Sequence, residues 1–156
     1  MPFRDFYGFQ QLPFAKGIAP KDVYPSSGHQ ELVARLTFAL QYRLPALVTG
    51  DVGTGKSTSV RAFLSSLDPN VYPVAYLPNP HLNAQALYRE ILEAFHLEPA
   101  FLLVQLRPQL RIILDDLARR DRHPIVIVDE AHLLPAVLLH QLRSCLCRRQ
   151  TGPPQS

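Results

Sequence analysis

Two clusters in this sequence have the residue types and spacing to act on a phosphate. The first lies in LVTGDVGTGKSTSVRAF, residues 47–63, where Gly50, Gly55, Lys56 and Ser57 satisfy G-x-x-x-x-G-K-[ST]. With this chain's composition the pattern would arise by chance roughly five times in ten thousand, so accident explains it poorly. The glycines allow main-chain N–H groups to turn inward around an anionic oxygen, and a following helix adds its positive N-terminal end. Gly50, Asp51, Val52, Gly53, Thr54, Gly55, Lys56, Ser57 and Thr58 are therefore the candidate nucleotide-binding residues. Lys56 would reach the β and γ phosphates, with a catalytic share in neutralising them, and the Ser57 hydroxyl would ligate Mg²⁺.

The second cluster is PIVIVDEAHLL, residues 124–134, which sets Asp129 and Glu130 at the C-terminal tip of an apolar strand, where α/β sheets hold their ligands. Asp129 would hold Mg²⁺ through its water, and Glu130 would orient and deprotonate the water that attacks the γ-phosphate. An acidic pair on a strand tip can also be a plain helix cap. The upstream phosphate loop, at α/β distance, favours the chemical reading. His132 has no Cys or His at a ligand spacing and reads as a packing or coupling residue.

Positioning these clusters requires alternating strands and helices. Ser27 and Gln30 stand at capping-box spacing ahead of Leu32, Val33, Leu36, Ala39 and Leu40, which predicts a helix over about 28–42 closed by Pro45. A short apolar strand, Ala46 to Thr49, leads into the glycine turn, and a helix to about Ser66 and a strand around Val74 to Leu77 follow. Asn83 can cap a helix running to about His96. Leu110, Ile113, Leu114 and Leu117 line another helix, expected to start at or just after Pro108 because proline inside a helix costs about 3 kcal/mol; residues 99–107 stay unassigned. The run Ile125 to Val128 reads IVIV, the pattern of a strand buried on both faces, and a last helix begins near Pro135. The fold class is α/β with a parallel sheet flanked by helices.

Bulk properties fit that picture. A length of 156 residues, 47% hydrophobic and 19% charged, suits one globular domain. No apolar run approaches the roughly 18 residues of a membrane span, and the opening MPFRDFYGFQQLPF lacks the apolar core of a signal peptide, so the cytoplasm is the expected location. Cys145 and Cys147, two apart on a helix, have no second pair to complete a metal site and read as incidental thiols. The net charge of +3 permits a nucleic-acid partner without demanding one. Arg119, Arg120, Arg122 and His123, with Arg143, Arg148 and Arg149, could meet DNA phosphates, though a solvated helix end accounts equally well for the first group. None of Lys16, Lys21 and Lys56 is followed two residues later by Asp, as a guanine-reading element requires, so ATP is the expected nucleotide. A DEAH-type helicase would need a second motor domain, for which the sequence leaves no room.

FYGFQQLPF, YPSSGHQELVARL, LVTGDVGTGKST and VDEAHLL, in that order, resemble the AAA+ ATPases of the ExeA/GspA and TniB-like group, over about Phe3 to Leu142. The resemblance implies a P-loop NTPase of AAA+ type with ATP and Mg²⁺ as cofactors. It assigns Lys56 and Ser57 to phosphate and Mg²⁺, Asp129 to Mg²⁺ and Glu130 to catalysis, and it places Tyr24 to His29 near the adenine. It further implies a transposition helper acting with a transposase on DNA, and a homo-oligomer in complete relatives. The alternatives are a secretion-pathway ATPase or a non-hydrolysing nucleotide-binding fragment. Members of the group continue into a sensor strand, a further strand and a helical lid that this sequence does not match. The expectation is therefore a C-terminally truncated, marginally folded form: an extended segment over 1–27 packed on the ATPase core, a partial nucleotide-binding domain over 28–147 and a disordered tail over 148–156.

Overall fold

The structure, a computed structural model, describes residues 6–8, 23–78 and 83–146. Most of the expected extended segment over 1–27, and all of the tail over 148–156, lie outside these residues. The described residues form two compact units, one drawn from Met1–Phe38 and Leu47–Ser66, the other from Ala39–Ala46 and Leu67–Ser156.

The first unit carries helix α1 (Ser27–Gln41), whose last residues count with the second unit, and α2 (Lys56–Ser65). Helix α1 starts where expected but on a different cap. The Ser26 hydroxyl, one residue before the predicted Ser27, accepts from the His29 N–H at 3.2 Å, and the Gln30 side chain donates to the Pro25 carbonyl at 3.3 Å. An N-cap stands two or three residues before the N–H its side chain satisfies, and Ser26 stands three before His29. Phe63 and Ser59 on α2 are buried.

The expected strand over 46–49 carries no strand ladder among the described residues, and Leu47 is 82% exposed. Apolar character alone does not make a strand, because a strand exists only where a neighbour's N–H and C=O groups pair with its own.

The second unit holds β1 (Val74–Leu77), α3 (Ala84–Ala94), α4 (Leu103–Arg119), β2 (Ile125–Val128), a 3₁₀ turn (Ala131–Leu133) and α5 (Ala136–Leu146). Strands β1 and β2 pair in parallel, with Val74 opposite Ile125 and Leu77 opposite Val128. Parallel strands need a long crossover, and α3 and α4 supply it. Helix α3 packs on both β1 and α4. Leu87, Tyr88, Ile91 and Leu92 of α3 are wholly enclosed with Leu106 and Leu110 of α4 and Ala75 of β1. Each fully buried Leu or Ile of this set contributes about 1.5–3 kcal/mol of transfer free energy. Asn83 caps α3 as expected, its side chain accepting from the Ala86 N–H at 2.8 Å.

Two expectations fail in this unit. Helix α4 begins at Leu103 and carries Pro108 inside it, rather than starting there. Pro108 and Val104, whose carbonyl loses its i+4 donor, both lie on the exposed side, where water can satisfy that carbonyl, while Leu106 and Leu110 hold the opposite face in the core. Strand β2, expected to be buried on both faces, is only half-buried at all four positions. Both strands of the two-stranded sheet are edges, but α3 packs on β1, where Ala75 and Leu77 are buried, and covers β2 less.

Candidate functional site

In the first unit the glycine loop takes a shape that its sequence makes possible. Gly55 (φ 82°) closes the loop as the N-cap of α2, and Gly53 (φ 84°) precedes it in the same left-handed region, which a side chain adopts only at a cost. Because Gly55 is the cap, no capping side chain bonds the first N–H groups of α2. The Thr54 hydroxyl donates to the Asp51 carbonyl at 2.9 Å and braces the turn. The half-buried Lys56 folds its ammonium back over the loop, donating to the carbonyls of Gly50 at 2.8 Å and Asp51 at 2.7 Å. Val52 stands fully exposed at the loop tip, while Ser57 and Thr58 occupy the first turn of α2.

Sequence reasoning missed one contact here. His29 Nδ1 and the buried Ser59 hydroxyl share a hydrogen bond at 2.9 Å, tying the start of α1 to the helix that follows the loop. His29 falls in the YPSSGHQELVARL stretch that carries the resemblance, but Ser59 belongs to no motif, and nothing in the sequence pairs the two. Tyr24, at the head of the segment expected near adenine, is 82% exposed.

In the second unit Asp129 and Glu130 follow β2, and the Asp129 N–H donates to the Leu77 carbonyl at 2.9 Å, extending the β1–β2 ladder by one bond. Both oxygens of the Asp129 carboxylate are engaged: Oδ2 accepts from the Tyr76 hydroxyl at 2.7 Å and Oδ1 from the Glu130 N–H at 3.0 Å. Glu130 takes a left-handed conformation (φ 51°), unusual for a residue with a side chain, and its Oε2 lies 3.3 Å from Nδ1 of His132. His132, expected to have a packing or coupling role, is exposed, and Glu130 is the acid within reach of its ring. Tyr76 was not foreseen. Its only sequence signal is its place in a β run, and which residue it meets depends on strand register.

A hydroxyl at Ser57 and a carboxylate at Asp129 are hard oxygen donors of the kind Mg²⁺ takes. A carboxylate offers about four acceptor positions, so the bonds to Tyr76 and Glu130 do not exhaust Asp129. Among the described residues no group of three or more His, Cys, Asp or Glu forms a metal site by itself. Mg²⁺ commonly needs no such cage, since phosphate oxygens and water complete its shell.

The arginines at the end of α4 are largely engaged within the protein. Arg120 pairs with Asp116 at 2.9 Å, Arg122 donates from Nε to the Asn70 carbonyl at 2.7 Å, and Arg43 donates to His123 Nδ1 at 3.3 Å. Cys145 is a half-buried free thiol, and Cys147 lies outside the described residues. No helix among the described residues is long and apolar enough to cross a membrane.

A phosphate-type loop capping a helix, together with an acidic pair at the tip of a parallel strand, defines an α/β nucleotide-binding protein, and the chain belongs to the AAA domain family, which matches residues 39–152. That membership makes it an ATP-binding domain. It is also similar to General secretion pathway protein A of Aeromonas hydrophila, with 38% identity over 146 residues, covering 90% of this chain and 26% of that protein. The chain therefore spans about a quarter of the length of this curated relative. No solved structure matches the chain. The likeness bears out the ExeA/GspA side of the resemblance, and it gives no support to the TniB-like, transposition side.

Proposed function

We propose that this protein binds ATP with Mg²⁺ through the loop 50–58 and hydrolyses it in the service of a secretion apparatus rather than of transposition. The observation that carries the nucleotide reading is the Gly50–Lys56 loop, capped by glycine and with its lysine folded over it. The secretion role is supported by the similarity to General secretion pathway protein A, which spans 26% of that relative's length.

In this reading the loop N–H groups and Lys56 hold the phosphates, Ser57 and Asp129 hold Mg²⁺, and Glu130 takes the proton of the attacking water. Bound Mg²⁺ would neutralise charge developing on the phosphates. His132 would keep Glu130 oriented for that proton transfer.

The test is calorimetric titration of the full chain with ATP and Mg²⁺, paired with phosphate release by wild type and Glu130→Gln. Binding by both proteins, with turnover lowered about 10²–10⁴-fold in Glu130→Gln, is the expected result. Absence of any ATP binding by well-folded protein would overturn the nucleotide reading. Binding with equal, near-zero turnover in both would overturn the hydrolytic part alone.

A further inference from the structure

The Tyr76 hydroxyl belongs to none of the motifs discussed above, yet it donates the shortest hydrogen bond described for Asp129, 2.7 Å to Oδ2. Register explains how it gets there. Tyr76 pairs with Ile127 across the parallel strands, and Asp129, two residues further along, projects on the same side as Ile127. The diagonal between a residue and its partner's second neighbour is within reach of an aromatic side chain. The half-buried ring therefore delivers its hydroxyl to the carboxylate just beyond the end of the ladder.

This bond is not required to hold the strands together. Val74–Leu77 and Ile125–Val128 already pair along their length, and the bond from Asp129 N–H to Leu77 carbonyl continues that pairing past the end of β2. What the hydroxyl does add is a fixed orientation. An aspartate χ2 torsion is broad when unconstrained. Here the Tyr76 hydroxyl on Oδ2 and the Glu130 N–H on Oδ1 bracket the carboxylate from two directions.

We propose that Tyr76 is a positioning residue for Mg²⁺ binding, acting through Asp129 and never touching the metal or the nucleotide. The inference rests on the reading of Asp129 as the Mg²⁺ acid. Partners that orient a ligand in this way set metal affinity, and removing one costs about 10–100-fold.

The experiment measures Mn²⁺ binding by electron paramagnetic resonance on the full chain with a non-hydrolysable ATP analogue, using wild type, Tyr76→Phe, Tyr76→His and Asp129→Asn. Nucleotide affinity in EDTA is measured alongside. Tyr76→Phe should bind Mn²⁺ about tenfold more weakly with its metal-free nucleotide affinity unchanged, a split that general loosening of the fold would not produce. Tyr76→His, which keeps a ring N–H donor, should recover part of the loss, and it keeps the test open should Tyr76→Phe fold poorly. Wild-type Mn²⁺ affinity in Tyr76→Phe, beside a large loss in Asp129→Asn, would overturn the role of Tyr76 and leave the reading of Asp129 standing. Parallel losses of metal and metal-free nucleotide binding in Tyr76→Phe would also overturn it. Wild-type Mn²⁺ affinity in Asp129→Asn would sink the reading of Asp129, and the role of Tyr76 with it.

Discussion

The Lys56 ammonium is held by the carbonyl of Gly50 at 2.8 Å, six residues earlier in its own loop. The Asp51 carbonyl accepts from it at 2.7 Å as well, so the loop's own backbone satisfies the lysine charge while the amides that follow lead into α2. An arriving polyphosphate would compete with those two carbonyls for the same donors, and its full charges give it the advantage.

Lys56→Ala should therefore remove a charge-assisted contact to the phosphates without loosening the core. A hydrogen bond to a charged group is worth about 1.5–3 kcal/mol, so ATP affinity should fall roughly 10–150-fold, read by calorimetry, while the thermal midpoint without nucleotide stays close to that of wild type.

Gly55→Ala tests backbone strain in isolation. An added Cβ would meet nothing within 4 Å, but φ is 82°, where a side chain is disfavoured. The cost of about 1–2 kcal/mol should appear as lower stability in urea with an unchanged m-value.

The cap of α1 separates two neighbouring serines. Ser26→Ala removes the acceptor of the His29 N–H and should cost about 0.5–2 kcal/mol. Ser27→Ala, the capping position predicted from sequence, should be within about 0.5 kcal/mol of wild type, since no cap bond depends on it. Equal losses on chemical denaturation would show that the sequence spacing had been the better guide.

Tyr88 offers a pH-dependent test. Its ring is wholly enclosed and its hydroxyl has no hydrogen-bond partner among the described residues, with Cys145 and Arg107 close enough to act on its ionisation. Burial chiefly, and then Cys145, raises its pKa above the usual tyrosine value, with Arg107 opposing. A group whose folded pKa lies above its unfolded value adds stability that is complete below about pH 10 and is lost as pH rises from there through the folded value. Tyr88→Phe should remove that alkaline loss. At neutral pH it should be neutral or stabilising by about 1–3 kcal/mol, since it deletes a buried, unsatisfied group. Stability curves of both proteins between neutral pH and pH 11 would check the two halves of the prediction.

Much of this protein was legible in one dimension because the signals concerned are local. The G-x-x-x-x-G-K-S loop, the Asn83 cap and the limits of β1 and β2 each depend on residues within a few positions of one another, and the structure places all of them where the sequence indicates. The α/β class follows from a similar local reading, in which amphipathic period marks the helices, although an apolar run becomes a strand only where a neighbour pairs with it.

Other features are properties of pairs distant in sequence, and only the tertiary structure decided them. The segment 46–49 has a strand's composition but no ladder among the described residues, and Pro108 sits inside α4 because Val104 faces water while Leu106 and Leu110 face the core. Strand β2 is half-buried because α3 packs on β1 instead. The bond from Tyr76 to Asp129 spans 53 residues and exists only because Val74 lies opposite Ile125; one step of slip would turn Tyr76 to the other face of the sheet. Sequence thus determined which groups can be proposed for phosphate and magnesium chemistry, since side-chain type and loop spacing are fixed along the chain. Folding determined which of those groups are held in place, since orientation comes from partners that only three-dimensional packing brings within hydrogen-bonding distance.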